Sequence, residues 1–507
     1  MLRTAAFVIA GVFIALATEG RSARVTVSVL PDEAAAQSPT IDRAVRTATD
    51  AAVRSATNAA VRAATAAASM AAIQGGGERT TMAAQDVASV LSAARGVPPI
   101  MCSLAAQSVW GGGWGWYDAP SSPVASEVTA RIRDMGRQVL AATEVRLVMD
   151  SLASSDACVR EMSVRLLARQ RGEGGQRDET VVNGLIERLG SRSPELREVA
   201  ALGLGFIEPR AAVEPLMRTL RDETAGVRAN SAWALGHIDD GRALRPLVDL
   251  LRDNEPRVRE AASIAIGRLD SLSSVEALVR VVREDASPSV RRAAAWALGQ
   301  LEARSAVDVL IAALRQDSDS RVREMAAWAL GSMETRSAAP GLIGAVRRDS
   351  SDAVRETSAW ALGNVGDRTA VDILGDAVRS DRNARVRGTA AWALGQLDPR
   401  DAPRGLIDGL TDQDDDVRIK AAWALGQIGD SSAVSAIQGA LRVEKNDRAR
   451  KAQIRALLKS GGRSEAMLTD LLRSSEPEVR EAAVRGLAGS NSLNPWPWPW
   501  PRPRPTP

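Results

Sequence analysis

The 507-residue chain has one histidine, His237, and two cysteines, Cys102 and Cys158. That inventory excludes much chemistry. A structural zinc centre takes four ligands in close-spaced Cys and His pairs, and the chain cannot supply them. A Ser-His-Asp relay would have to use His237. Comparable segments carry Arg268, Gln300, Ser332, Asn364, Gln396 and Gln427 at the same place, so it reads as a variable polar surface position. No G-x-x-x-x-G-K-S/T phosphate loop occurs, and no G-x-G-x-x-G loop follows a strand. We therefore assign no catalytic residue, no metal and no cofactor. What recurs instead is a charged pair and a ring. Asp222, Asp253, Asp285, Asp317, Asp349, Asp381 and Asp412 each stand six residues before Arg228, Arg259, Arg291, Arg323, Arg355, Arg387 and Arg418. Five residues after all but one of these arginines comes Trp233, Trp296, Trp328, Trp360, Trp392 or Trp423, with Ile264 as the exception.

These residues belong to one returning stretch, Val290-Arg291-Arg292-Ala293-Ala294-Ala295-Trp296-Ala297-Leu298-Gly299. Counted from its second residue, the copies fall at Arg160, Arg197, the seven arginines above, Arg450 and Arg480, with steps of 30 to 32 after a first gap of 37. A fixed period of this size is the signature of a repeat architecture. Val290, Ala293, Ala294, Ala297 and Leu298 lie at 0, 3, 4, 7 and 8, one broad face of a helix. Gly299 suits a helix stop. A turn over Glu302–Ser305 leads to a second apolar helix with Ala306, Val307, Val309, Leu310 and Leu314. Each unit is a helical hairpin too small to bury its own apolar face, and stacking buries a continuous core. About eleven hairpins give an all-α, α-α superhelix roughly 100 Å long at ~8–10 Å per helix layer.

The Asp, the Val-Arg pair and the Ala-Ala-x-Ala-Leu-Gly core resemble the HEAT-repeat family, in the short version known from phycobilisome lyases. The resemblance covers about residues 145–490 and implies a HEAT/armadillo-like solenoid. It also implies that the seven aspartates and seven arginines named above form a ladder between adjacent repeats. Ser154, Ser191, Glu444 and Ser474 break the Asp pattern in the outer units, so no ladder is expected there. Deoxyhypusine hydroxylase, an enzyme of this family, binds iron through His-Glu pairs, and His237 is followed by Ile238. Bilin lyases resemble the chain through the repeat only.

Outside the repeats the sequence divides further. Met1-Leu2-Arg3 and the apolar run Thr4 to Ala17, ending in Ala15-Leu16-Ala17, read as an export signal over 1–17, with an uncleaved anchor as the alternative. Residues 18–40 read as a linker in which Arg24–Val29 alternates like one strand without an evident partner. An Ala-rich helical segment follows over 41–72, then an irregular Gly/Trp-containing region over 73–144 with Trp110–Tyr117, and a disordered Pro/Trp/Arg tail over 491–507. In an exported chain Cys102 and Cys158 could pair, clipping the irregular region to the first repeat; the alternative for Cys158 is a buried thiol. Net charge is +3, with acidic residues interleaved among the arginines. This gives no basic stripe for nucleic acid, and membrane contact would be peripheral at most.

On a helical wheel the Trp lies about 240° from the Val, on the flank of the apolar face. Two readings follow. The column is a partly exposed ladder that binds an extended partner, or it fills space between repeats. In HEAT-like solenoids the second helix of each pair tends to line the concave side. The expected function is a non-catalytic, exported scaffold for a protein or peptide partner of unknown identity. A bilin lyase-like enzyme and a structural spacer in the cell envelope are the alternatives.

Overall fold

The computed structural model describes the backbone of residues 4–9, 12–19 and 22–29, most of 84–95, and residues 140–170 and 178–460, besides a few positions beyond 460. The chain forms two units, Met1–Glu78 and Arg79–Pro507. The first contains three antiparallel strands in the order β1-β2-β3: β1 Thr4–Ile9, β2 Val12–Glu19 and β3 Ser22–Val29. Val27 pairs with Ile14 and Val25 with Leu16. This corrects the expectation that Arg24–Val29 lacks a partner strand. The apolar run before it supplies one, β2, which lies between β1 and β3. The Ala-rich segment, Trp110–Tyr117, Cys102 and the tail lie outside the described residues.

The second unit is helical throughout its described residues. Helix α1, Ala84–Ala94, buries Val87, Val90, Leu91 and Ala94 and packs against α2, Ala142–Ser151, and α3, Ala157–Ala168. From α3 onward, helices bearing the Val-Arg pair alternate with shorter ones. The Val-Arg helices are α3, α5 (Pro194–Ile207), α7 (Ala225–Ile238), α9 (Pro256–Arg268), α11 (Pro288–Gln300), α13 (Ser320–Ser332), α15 (Asp352–Val365), α17 (Ala384–Leu397), α19 (Asp415–Ile428) and α21 (Asp447–Lys459). Between them lie α4 (Glu179–Arg188), α6 (Val213–Thr219), α8 (Leu244–Leu250), α10 (Val275–Glu284), α12 (Val307–Gln316), α14 (Ala339–Arg348), α16 (Val371–Ser380), α18 (Arg404–Gly409) and α20 (Val434–Val443). The unit around Arg480 falls mostly outside the described residues. In α11 the face read from the sequence, Val290, Ala293, Ala294, Ala297 and Leu298, has no exposed surface.

Gly299 does not stop α11. The helix continues to Gln300, and Glu302 takes the left-handed turn at φ 47°. The glycine is needed for a close approach instead. A Cβ on Gly299 would stand 2.9 Å from the Cα of Ala329 on α13 and 2.7 Å from the Trp328 ring. The same holds at Gly236, Gly267, Gly331, Gly363, Gly395 and Gly426, where a Cβ would come within 2.6–3.1 Å of an alanine Cα on the next Val-Arg helix. That layer is therefore tightly spaced. The second helices are mostly less tightly spaced: a Cβ on Gly344 of α14 or Gly375 of α16 would touch nothing, although Gly405 of α18 comes up against the Gly375 backbone. A double layer curves toward its more closely spaced face, so the Val-Arg helices line the concave side.

Gly299→Ala should therefore force α11 and α13 apart and destabilise by about 1–3 kcal/mol. Gly344→Ala, in open space on a helix, should stabilise by about 0.5–1 kcal/mol. Urea denaturation midpoints of the two variants moving in the same direction would contradict this account of the spacing.

Candidate partner-binding surface

Each Val-Arg helix begins where two repeats are tied together. Arg291 Nε and Nη2 donate to the two carboxylate oxygens of Asp317 in the next unit, at 2.7 and 2.8 Å, while Nη1 donates to the Asp285 carbonyl of its own unit at 2.8 Å. Asp317 Oδ1 in turn accepts the Asp319 N–H at 3.0 Å, closing the turn before α13. The structure places the same fork between Arg228 and Asp253, Arg259 and Asp285, Arg323 and Asp349, Arg355 and Asp381, and Arg387 and Asp412. It extends beyond the pairs expected from the sequence at both ends. Arg197 holds Asp222, and Arg418 holds Glu444 with bonds of 2.7 and 3.0 Å. The extra methylene of Glu444 is accommodated because its Oε1 still accepts the Asn446 N–H. At Arg160 the guanidinium meets the Ser154 carbonyl.

These are bidentate, charge-assisted bonds at largely buried groups. Burial acts to raise the Asp317 carboxyl, but the Arg291 fork, the Asp319 N–H and the guanidinium charge outweigh it and hold the pKa below its ordinary value. Asp222, Asp253, Asp285 and Glu444 are lowered by the same balance. A carboxylate whose folded pKa is depressed stabilises the fold above its unfolded pKa, near 4, and that contribution is lost as pH falls through the folded value.

The tryptophan column is not a free aromatic ladder. Trp233, Trp296, Trp328, Trp392 and Trp423 are 2–9% exposed, and Trp360 alone is half-buried. Each ring lies back on a glycine of the preceding Val-Arg helix: Trp296 on Gly267, Trp328 on Gly299, Trp360 on Gly331, Trp392 on Gly363 and Trp423 on Gly395. The ring occupies the space that the absent Cβ leaves. This corrects the exposed-ladder reading: the column is the floor of the concave side.

Above that floor stands a row of polar residues. One turn before the ring, at i−4, come Arg292, Glu324 and Glu356, with Ala229, Gly388 and Ile419 in the other three units, and one turn after come His237, Gln300, Ser332, Asn364, Gln396 and Gln427. Arg292 approaches Glu260 of the preceding unit at 3.8 Å, and Arg385 meets Glu356 at 2.7 Å. Burial pushes the Lys420 ammonium below its ordinary pKa. His237 is not exposed as the sequence suggested. Its ring stacks on Trp233 at 4.1 Å, and Nδ1 donates to the Trp233 carbonyl at 2.9 Å. Burial, with Arg268 nearby, lowers its pKa to about 4, against the opposing effect of that carbonyl. It is a neutral packing residue at neutral pH.

On the opposite face, Arg347, Arg348, Arg379 and Asp376 border an open cleft of about 570 Å³ between α14 and α16. Cys158 is buried and disulfide-bonded rather than a buried free thiol; the chain's other cysteine, Cys102, lies outside the described residues. Among the described residues no group of three His, Cys, Asp or Glu could hold a metal, and no helix is long and apolar enough to cross a membrane.

Against known families, the model described as HEAT repeats matches residues 182–267, 275–362, 339–404 and 403–488, more than half of the chain. The chain belongs to the HEAT-repeat family. Among solved structures, importin beta is 14% identical with a TM-score of 0.54 over 80% of this chain and 64% of that one. The likeness shows the fold alone, and this HEAT-repeat chain spans less than two thirds of the importin's length. The CpcE–CpcF phycocyanin lyase complex of Nostoc is 25% identical over 48% of this chain and 94% of that one, with a TM-score of 0.30. Human deoxyhypusine hydroxylase is 24% identical over 49% and 96%, with a TM-score of 0.24. No curated protein sequence matches.

Arg323→Ala leaves Asp349, whose side chain is 8% exposed, without its fork. It should destabilise by about 3–5 kcal/mol, and Arg323→Lys by less, in urea titrations of the intact chain. For His237 the unfolded state binds the proton first, so stability falls as pH drops from about 6.5 toward 4. His237→Gln, the residue found at this place in other units, should flatten that limb by about 1–2 kcal/mol after allowance for partial exposure. An unchanged pH profile would refute the packing assignment.

Proposed function

We propose that this HEAT-repeat protein is a non-catalytic scaffold that binds an extended protein or peptide segment along its concave side. The observation that carries this reading is the row of polar groups, with Gln300, Gln396 and Gln427 exposed and Arg292, Glu324 and Glu356 half-buried, above a tryptophan floor interrupted at Ile264. A charged side chain taken partly out of water stabilises little unless it is paired. A polar row that repeats once per unit along a groove suits a partner that runs along it too, one contact per repeat. Catalysis finds less support: the one histidine is neutral, stacked and bonded to its own helix. The disulfide at Cys158 favours an oxidising compartment, which supports the reading of residues 1–17 as an export signal.

A photo-crosslinking residue placed at Gln300 on the concave side should trap the partner in the producing cell. The same residue at Ala312, exposed on α12 of the opposite face, should trap little. Crosslinks concentrated at Ala312 would reverse the assignment of the binding face.

A further inference from the structure

Three regions of the molecule carry polar groups that the repeat framework does not use: the arginine-bordered cleft between α14 and α16, the concave position of Lys420, and the concave surface of α13 and α15. In the cleft, Arg379 already pairs with Asp376, and Arg382 pairs with Asp352. The third region is different. Glu324 is half-buried on α13 and has no hydrogen-bonding or ion-pair partner among the described residues. Arg385, Arg292 and Arg321 act on it by charge without bonding to it, and the Arg292 Nε is itself buried without an acceptor. Arg385 places Nε and Nη2 on Glu356 at 3.3 and 2.7 Å, and Arg292 turns toward Glu260. The nearest like charge is Glu356, on the adjacent helix, and burial together with that charge raises the Glu324 carboxyl.

The floor beneath this spot is also exceptional. Trp328 lies one turn after Glu324, and its Nε1 is buried without a hydrogen-bond acceptor. Trp360 lies one turn after Glu356, rests on Gly331 of α13, and is the one ring of the column that is partly rather than fully buried. Two carboxylates and a partly buried indole therefore share two neighbouring helices. Carboxylates attract a cation by charge, and an indole face attracts it through the ring quadrupole. A buried or half-buried carboxylate gains most when a hydrogen-bonding cation completes its pairing.

We propose that Glu324, Glu356 and Trp360 form a seat for one cationic side chain, arginine or lysine, of the extended partner. This rests on the scaffold reading and names what one repeat of the groove recognises. Arg385 turns partly from Glu356 as the cation arrives, and the guanidinium or ammonium stacks over Trp360 with Glu324 as its principal acceptor. An acidic or neutral side chain gains nothing at this position.

The test uses the full-length protein with 5-fluorotryptophan in place of tryptophan, the Trp360 fluorine resonance being assigned by Trp360→Phe. The probes are the acetylated, amidated pentapeptide Ala-Ala-Arg-Ala-Ala and its counterpart with Glu in place of Arg. The arginine peptide should shift the Trp360 resonance in a saturable way and leave that of Trp423 unmoved. The glutamate peptide should do neither. The double variant Glu324→Gln, Glu356→Gln, with thermal unfolding as a check on its fold, should bind the arginine peptide at least tenfold more weakly. Should that variant unfold, Glu324→Gln alone serves as the second variant, with the same direction expected. No saturable shift at Trp360, an equal response to the glutamate peptide, or unchanged affinity in the folded Gln variants would each overturn the seat. The scaffold reading fails separately, through crosslinks at Ala312 rather than Gln300.

Discussion

The missing Cβ of one glycine per repeat sets the spacing of the whole stack. Where Gly299 faces Ala329, or Gly331 faces Ala361, the backbones of neighbouring Val-Arg helices approach as near as a methyl group would otherwise forbid. Everything else in a unit follows from that distance. The arginine at the start of the helix can reach its own preceding carbonyl and the next unit's carboxylate at once, because the two turns lie one short helix spacing apart. The second helices mostly stay farther apart, as the open space at Gly344 and Gly375 shows, with Gly405 against the Gly375 backbone as the exception, so the double layer bends. Curvature here is a difference in side-chain volume between two layers, repeated once per unit.

The same glycine explains why a tryptophan can be buried on the flank of a helix whose core face is already complete. An indole needs a broad flat surface, and a helix offers one only where a side chain is absent. The ring of one unit covers the glycine of the unit before it, so each unit completes its neighbour's surface. The unit with Ile264 keeps the alanine approach at Ala265 but has no indole there, and Gly236 faces that alanine alone. The aromatic floor is thus interrupted once while the spacing is kept. Burial of rings of this size contributes more than the alanines of the core face can, which is how a chain with few large apolar residues in its first helices stays packed.

Much of this was legible in the sequence. The period, the helical hairpins and the Val-Ala-Ala-Leu face all follow from spacing, and the face is buried in α11 as the wheel places it. The arginine fork became readable through family resemblance, which did not foresee that Glu444 could replace aspartate by reaching further. Gly299 misled because a glycine near a helix end and a glycine at a close approach look alike until the neighbouring helix is in place. A periodic sequence has no natural first helix, so which member of the pair lines the groove depends on volumes across the stack. For Trp296 and its relatives the wheel gave a direction but not what lies there, since the covering glycine belongs to another unit. His237 was read as surface from the variety of residues at its position. Its stacking on Trp233 depends on a ring one turn away on the same helix.

A framework this regular leaves little freedom at the positions that hold it together. The fork, the glycine and the alanines recur because each must satisfy its neighbour, and a change in one unit propagates to the next. Freedom remains at the places on the concave side one turn before and one turn after each ring. There the chain carries Arg292, Glu324, Glu356 and Gly388 in successive units, and then Gln300, Ser332, Asn364 and Gln396. Charges within this row pair across repeats where opposite signs fall side by side, as Arg385 and Glu356 do. Two carboxylates in adjacent units cannot pair with each other. A repulsive step of this kind in an otherwise complementary row lowers the stability of the free protein, and only a ligand of the opposite sign removes it. Recognition in such a solenoid is therefore written in the departures from the repeat, while the repeat itself supplies the spacing at which those departures are read.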